Sequence, residues 1–297
     1  MSEQMSEKNS DYGILVAVDG SAESEAAIRW AAGEAVLRGQ HMTLLHVVEP
    51  VIVTWPAAPL QASITEWQEE NARHVVERAE KTAFASVPEG KPPTVHTLVR
   101  YAPVTEELIE ASKSATTVVV GSRGLGAVGR AVLGSVSTAM LYRSHCPVAV
   151  VHADDARPSD RGLPVLLGID GSPASEKATA FAFDEASRRG VDLIALHAWS
   201  DVGVFPILGM DWHAYEDEGH AILGERLAGW QEQYPDVKVH RRIVCDQPAR
   251  WLIEESEEAQ LVVLGSRGRG GFASMLLGSV SAKVARGAKA PVLVMRD

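Results

Sequence analysis

The chain has 297 residues, enough for two domains of ordinary size, with 46% hydrophobic and 23% charged residues as in a globular protein. A formal net charge of −11 excludes a sequence-independent grip on nucleic acid, which needs a basic surface to displace counterions. No stretch approaches the roughly 18–20 apolar residues of a membrane helix, the polar segment Met1–Asp11 lacks a signal-peptide core, and Cys146 and Cys245 stand without metal or disulfide-framework spacing. A cytoplasmic protein is expected.

Strands and helices are predicted to alternate along the chain. Ile14–Val18 is an apolar run ending at Asp19-Gly20-Ser21, where Ser21 is placed to cap a helix over Ala22–Leu37. Gly39 ends that helix. A strand over Met42–Val48, a helix over Thr65–Ala85, a strand over Thr94–Val99 and a helix over Val104–Ser112 follow. Strand Thr116–Val120, helix Ser135–Tyr142 and strand Val148–Val151 complete the first half. The second half repeats the order: Val165–Ile169, Ala174–Arg188, Asp192–Ala198, Glu216–Gln233, Val237–Val244, Ala249–Ser256, Leu261–Leu264, Ser279–Ala288 and Val292–Met295. Apolar strands alternating with helices predict a parallel sheet covered on both faces.

The two halves are copies. Leu15–Ser21 (LVAVDGS) returns as Leu166–Ser172 (LLGIDGS), Arg38-Gly39 as Arg189-Gly190, and Leu45-His46 as Leu196-His197, each 151 residues later. Val118–Gly124 returns as Val262–Gly268, and Leu133–Ser137 as Leu277–Ser281, each 144 later. The difference of seven predicts an insertion in the first copy, placed at Pro50–Pro59. The expected division is a flexible N-terminus over 1–11, domains over 12–152 and 164–297, and a linker over 153–163.

The chemistry lies in the glycines. Gly121 and Gly124 flank two residues and nine more precede Gly134-Ser135; Gly265, Gly268 and Gly278-Ser279 keep the same spacing around different residues. Each set starts at the carboxyl end of a strand and finishes at a helix N-terminus. There, backbone N–H groups can approach an anion and the helix dipole favours it. The hydroxyls of Ser135, Ser137, Ser279 and Ser281 are candidate donors to phosphate, as are the side chains of Arg123, Arg130, Arg267 and Arg269. Asp19 and Asp170 end the first strand of each half. Either they cap the next helix or they face the nucleoside end of a ligand at the topological switch point; the second reading is favoured. His46 and His197 lack a catalytic partner pattern and are read as packing residues. Trp55, Trp67, Trp212 and Trp230 are expected to cover core or a domain interface.

Competing motifs fail on context. Gly124-x-Gly126-x-x-Gly129 matches a dinucleotide fingerprint but follows the fourth strand rather than the first, with no acidic ribose partner behind it. Neither a GxxxxGK[ST] loop nor a GxSxG elbow occurs.

With Asp19, Gly121-x2-Gly124-x9-Gly134-Ser135 and the matching Asp170 set, the whole chain closely resembles the ATP-binding universal stress proteins of tandem two-domain type. The resemblance implies an α/β fold: two tandem Rossmann-like (adenine nucleotide alpha hydrolase-like) domains. Each would be an open five-stranded parallel sheet of order 3-2-1-4-5 with helices on both faces. It implies one ATP per domain, with any Mg²⁺ carried on the phosphates. Ala17, Asp19, Gly168 and Asp170 would line the nucleoside side. The stretch Gly121, Ser122, Arg123, Gly124, Leu125, Gly126 and Ala127, with Gly265, Ser266, Arg267, Gly268, Arg269, Gly270 and Gly271, would wrap the phosphates. Gly134, Ser135, Val136 and Ser137, with Gly278, Ser279, Val280 and Ser281, would join them. Val48 and Asp201, just past the second strands, would touch adenine or ribose. Ala127, where the second copy has Gly271, departs from the pattern. The resemblance further implies a homodimer through the last strands; their apolar edges need covering by the other half, another chain, or both. The expected role is a regulatory nucleotide sensor in stress adaptation, growth control or dormancy, acting on a protein partner. The alternatives are a slow ATPase or nucleotide phosphotransferase, and a structural module with empty sites.

Overall fold

A computed structural model describes residues 11–51, 58–88, 92–125, 132–153, 162–198, 213–268 and 276–296. The first half runs β1 (Gly13–Ala17), α1 (Ala22–Arg38), β2 (Met42–Val48), α2 (Ala58–Ala85), β3 (Val95–Tyr101), α3 (Val104–Ala111), β4 (Ala115–Gly121), α4 (Ser135–Arg143) and β5 (Val148–Val151). The second runs β6 (Val165–Gly168), α5 (Pro173–Arg189), β7 (Leu193–Ala198), α6 (His213–Gln233), β8 (Val239–Val244), α7 (Pro248–Glu255), β9 (Leu261–Gly265), α8 (Ser279–Gly287) and β10 (Val292–Met295). Each half has strand order 3-2-1-4-5 with parallel pairing throughout.

Successive strand residues point to opposite faces, and the burial follows. Ile14, Val16 and Val119 join one core with α1, α2, α5 and α6; Leu15, Val118 and Val120 join the other with α3, α4, α7 and α8. Both cores run through the two halves without a break, because β5 pairs antiparallel with β10 (Val150 with Val292, Ala149 with Leu293, Val148 with Val294). All ten strands therefore form one sheet. The covering of the last strands expected from their apolar character takes place within the chain. It leaves neither strand an edge for a second copy, so a homodimer built on them has no free partner surface.

Several element boundaries differ from the sequence reading, by one to seven residues. Helix α2 begins at Ala58 rather than Thr65; Pro59 sits in its first turn, where a missing N–H breaks no helix bond. The seven-residue difference between copies is also split. Helices α2 and α6 end at Ala85 and Gln233, 148 apart, so three residues of the difference precede the helix end and four follow it.

Behind β5 and β10, α1 meets α5 through buried charges. Glu34 and Arg38, one turn apart on α1, correspond to Glu185 and Arg189 on α5. Arg38 pairs with Glu185 and, at 3.2 Å, with Asp184; Arg189 pairs with Glu34 and, at 2.7 Å, with Glu185. Burial pushes the Glu185 carboxyl above its ordinary range against the pull of Arg38, and draws Arg189 down to about 10. The halves also exchange helix caps. Arg296, after β10, donates to the carbonyls of Leu141, Tyr142 and Ser144 at the end of α4, and His152, after β5, lies 3.1 Å from the Ala285 carbonyl on α8. Among the described residues no helix is long and apolar enough to cross a membrane.

Removing one arginine of the α1–α5 network leaves two buried carboxylates, Glu34 and Glu185, sharing the other. Arg189→Met is expected to lower stability by about 3–5 kcal/mol, read from urea unfolding midpoints. Converting Glu34, Arg38, Glu185 and Arg189 together to apolar residues is expected to cost less than that single change.

Candidate functional site

At the carboxyl edge of the sheet β1 and β4 are neighbours, as are β6 and β9, so each first-strand aspartate lies beside the glycine loop of its own half. Asp19 divides its two oxygens. Oδ1 accepts from the Ser21 N–H at 2.9 Å and the Ser21 hydroxyl at 2.7 Å, fixing the turn into α1. Oδ2 faces Gly124: a Cβ there would stand 2.5 Å from it. Asp170 behaves alike, with Oδ1 on the Ser172 N–H at 2.9 Å and Oδ2 against the place a Gly268 side chain would take. Holding the turn before the helix and facing the loop are thus done by different oxygens of one carboxylate, while the helix cap itself is Ser21 or Ser172.

The glycines of the motif divide into two kinds. A Cβ on Gly121 would lie 2.7 Å from the backbone carbon of Glu23, and one on Gly265 2.7 Å from that of Ala174. These two admit the first turn of α1 or α5 against the strand end; they are packing glycines. Gly124 and Gly268 instead bring the loop onto the aspartates.

Each arch is closed at its base. The Gly134 N–H donates to the Ser122 carbonyl at 2.8 Å and the Ser137 hydroxyl to the Gly121 carbonyl at 2.6 Å. Gly278 and Ser281 do the same to Ser266 and Gly265, both at 2.7 Å. In this structure the single O–H proton of Ser137 and of Ser281 is engaged on the Gly121 or Gly265 carbonyl. Ser135 and Ser279 are exposed, while Val136 and Val280 pack against the second core.

Helices α4 and α8 start on Gly134 and Gly278 with no side-chain cap among the described residues, whereas Ser21 and Ser172 cap α1 and α5 through their hydroxyls. The helix starts that flank the arches thus have no hydroxyl cap, a feature they share with α3 and α7, which start on Pro103 and Gln247. Arg123 turns to Glu23 on α1 at 2.7 Å. In the second half the Ser172 hydroxyl reaches the Arg267 carbonyl at 3.0 Å, tying the arch to α5. Ala17 packs on the second core, and Leu264 and Leu252 fill the space beside Gly168, so both positions support the site from beneath. His46 and His197 each hold, through Nδ1 at 2.7 Å, the carbonyl of Val18 or Ile169 just before the aspartate. They position the strand end.

Against this geometry, the model of the Universal stress protein family matches residues 13–152 and again 163–296. The chain is 59% identical over 292 residues to a universal stress protein of Mycolicibacterium smegmatis, covering 98% of this chain and 99% of the relative. It is 49% identical over 294 residues to one of Mycobacterium tuberculosis, covering 99% of each. The chain belongs to the universal stress protein family. Its fold is shared with a universal stress protein from Archaeoglobus fulgidus, at TM-score 0.71 and 21% identity over 96% of this chain and 98% of that one.

Several expected site residues of this universal stress protein (Gly126, Ala127, Arg130, Asp201, Arg269, Gly270 and Gly271) lie outside the described residues, as do Trp55 and Trp212. Leu125, at the arch entry, is exposed, and Val48 is half-buried at the end of β2. Trp230 stacks on Phe183 against the first core, but Trp67 is 65% exposed and covers neither core nor interface. Sequence reasoning missed Arg78 and Arg226. Arg78 Nη2 donates to the Gly20 carbonyl, and its Nε lies 3.3 Å from Glu25. The Arg226 guanidinium fills the space beside Gly171. Gly20 and Gly171 have φ of +83° and +78°, so a side chain is disfavoured there and the arginine lies over bare backbone. The signal was present: Glu77-Arg78 returns as Glu225-Arg226.

The two kinds of glycine are separable by experiment. Gly121→Ala is expected to lower folding stability by about 1–3 kcal/mol, since backbone must move. Gly124→Ala, which meets only a carboxylate tip, should stay within about 0.5 kcal/mol in the same thermal or urea unfolding assay.

Proposed function

We propose that this universal stress protein binds one ATP in each half and acts as a regulatory nucleotide sensor. The observation that carries the reading is the pairing, in both halves, of a helix start without a hydroxyl cap with a glycine that closes on the first-strand aspartate. Free first-turn N–H groups suit phosphate oxygens. Asp19 Oδ2 and Asp170 Oδ2 are acceptors suited to the hydroxyl or amino groups of a nucleoside. The backbone of Ser122–Leu125 and Ser266–Gly268, with the first turns of α4 and α8, would hold the phosphates; the aspartates would hold the nucleoside side.

Binding rather than turnover is the signal in this reading: filled and empty sites offer different surfaces to a protein partner, in service of stress adaptation or dormancy. Among the described residues no cluster of three or more His, Cys, Asp or Glu is arranged for a metal. Magnesium would then ride on the phosphates with mostly water ligands.

Mass analysis of nucleotide released from purified protein is expected to give ATP, with negligible hydrolysis in a single-turnover assay. Gly124→Val and Gly268→Val should each remove about half of it, and together nearly all, without loss of fold by circular dichroism. Undiminished nucleotide in the double variant would rule the reading out.

A further inference from the structure

The residue that follows the last strand of each half reaches a helix of the other half, and the two residues are equivalent. Arg296 follows β10 and His152 follows β5, at the offset of 144 that also separates the two arches. Their targets are equivalent as well. His152 Nε2 lies 3.1 Å from the Ala285 carbonyl on α8, and Arg296 Nη1 donates at 2.9 Å to the Leu141 carbonyl on α4. Arg296 Nε and Nη2 donate to the Ser144 and Tyr142 carbonyls at 3.1 and 3.0 Å, and Nη1 also donates to the Leu276 carbonyl at 3.0 Å. Leu276 stands at the foot of the second arch. Two residues on, the Gly278 N–H holds the Ser266 carbonyl at 2.7 Å, and the Ser266 N–H holds the carbonyl of Met295, next to Arg296, at 2.8 Å. At its other end α4 carries the helix start of the first arch. A helix cap needs only the α4 carbonyls; the bond to Leu276 is what joins the cap to the second site.

Resting on the ATP-binding reading, we propose that Arg296 is a positioning residue shared by the two sites and that it couples them. ATP in the second half raises the affinity of the first, and by linkage the reverse holds. Phosphates held by Ser266–Gly268 and the start of α8 fix the foot of the second arch, and with it the Leu276 carbonyl. That carbonyl fixes the guanidinium, which holds the last turn of α4 and so orders the N–H groups at its start. The second nucleotide then meets a helix whose ordering cost is already met. The two halves fill together, over a narrower range of ATP than independent sites would.

Titration calorimetry with ATP on full-length protein tests this. Gly268→Val gives the association constant of the first site alone, Gly124→Val that of the second, and the wild type both. The product of the two wild-type constants is expected to exceed the product of the single-site constants by roughly fivefold, the low end of common inter-site coupling. Arg296→Met should bring that ratio to one while both sites still bind ATP. Amide hydrogen exchange reads the path: in Gly124→Val, ATP should slow exchange over Met140–Ser144, and it should not once Arg296→Met is added. Melting without nucleotide checks each fold. If Arg296→Met does not fold, Arg296→Lys, which replaces three donor nitrogens by one, takes its place with the same expectation. A wild-type ratio of one or below, or a ratio that survives the loss of Arg296, would overturn the proposal and leave ATP binding intact. Absence of ATP binding to the wild-type chain would remove both readings.

Discussion

An apolar last strand cannot be left at the edge of a sheet, and much else in the molecule follows from how this one is covered. β5 and β10 are buried along their length and pair with each other about Ala149 and Leu293. That pairing merges two five-stranded sheets, continues both cores across the junction, and brings α1 against α5 and α4 towards α8. The strands left at the outer edges are β3 and β8. They carry His96 and Arg100 on one side and His240, Arg241 and Arg242 on the other, charges of the kind that discourage further strand addition.

The charge network behind the junction is costly to bury, yet its members are matched. Each arginine reaches carboxylates on both helices, and the contacts Arg38–Glu185 and Arg189–Glu34 are reciprocal. A slide of α1 along α5 would separate both at once and leave Glu185, which is fully buried, with only Arg189 of its own helix as a partner. Apolar contacts alone would tolerate such a slide. The exchanged caps at α4 and α8 act in the same sense, because Arg296 and His152 each serve carbonyls of the opposite half. Helix α1 begins at the Asp19 turn and ends in the network, so one rigid element joins the first site to the junction, and α5 does so for the second.

Strand positions were legible because they depend on local pattern: buried parallel strands read as apolar runs, and duplication doubled every signal, while the strand order came with the family resemblance. What was not legible depends on where long or polar side chains turn in three dimensions. Ser137 and Ser281 stand at a helix start, where a hydroxyl reads as a ligand donor; that it reaches back to close the base of the arch was not visible. Arg78 and Arg226 reach the turn after the aspartate from a helix far along the chain, across a region whose length differs between copies. Trp67 was expected inside because tryptophan usually is, yet it lies on the exposed side of α2. The α1–α5 pairs were half visible: Arg38 was part of a noted repeat, but nothing local said that its partner would be the other copy.

Glycine spacing alone also conceals a division of labour. Gly121 and Gly124 are three residues apart and read alike, yet the first is required by the backbone of α1 and the second by a carboxylate oxygen. A duplicated chain can hold the first kind fixed to keep its fold while varying the chemistry around the second. The replacement of Glu23 by Ala174 is a change of that type. The space left by the packing glycine accepts either side chain, so the fold is indifferent to the choice.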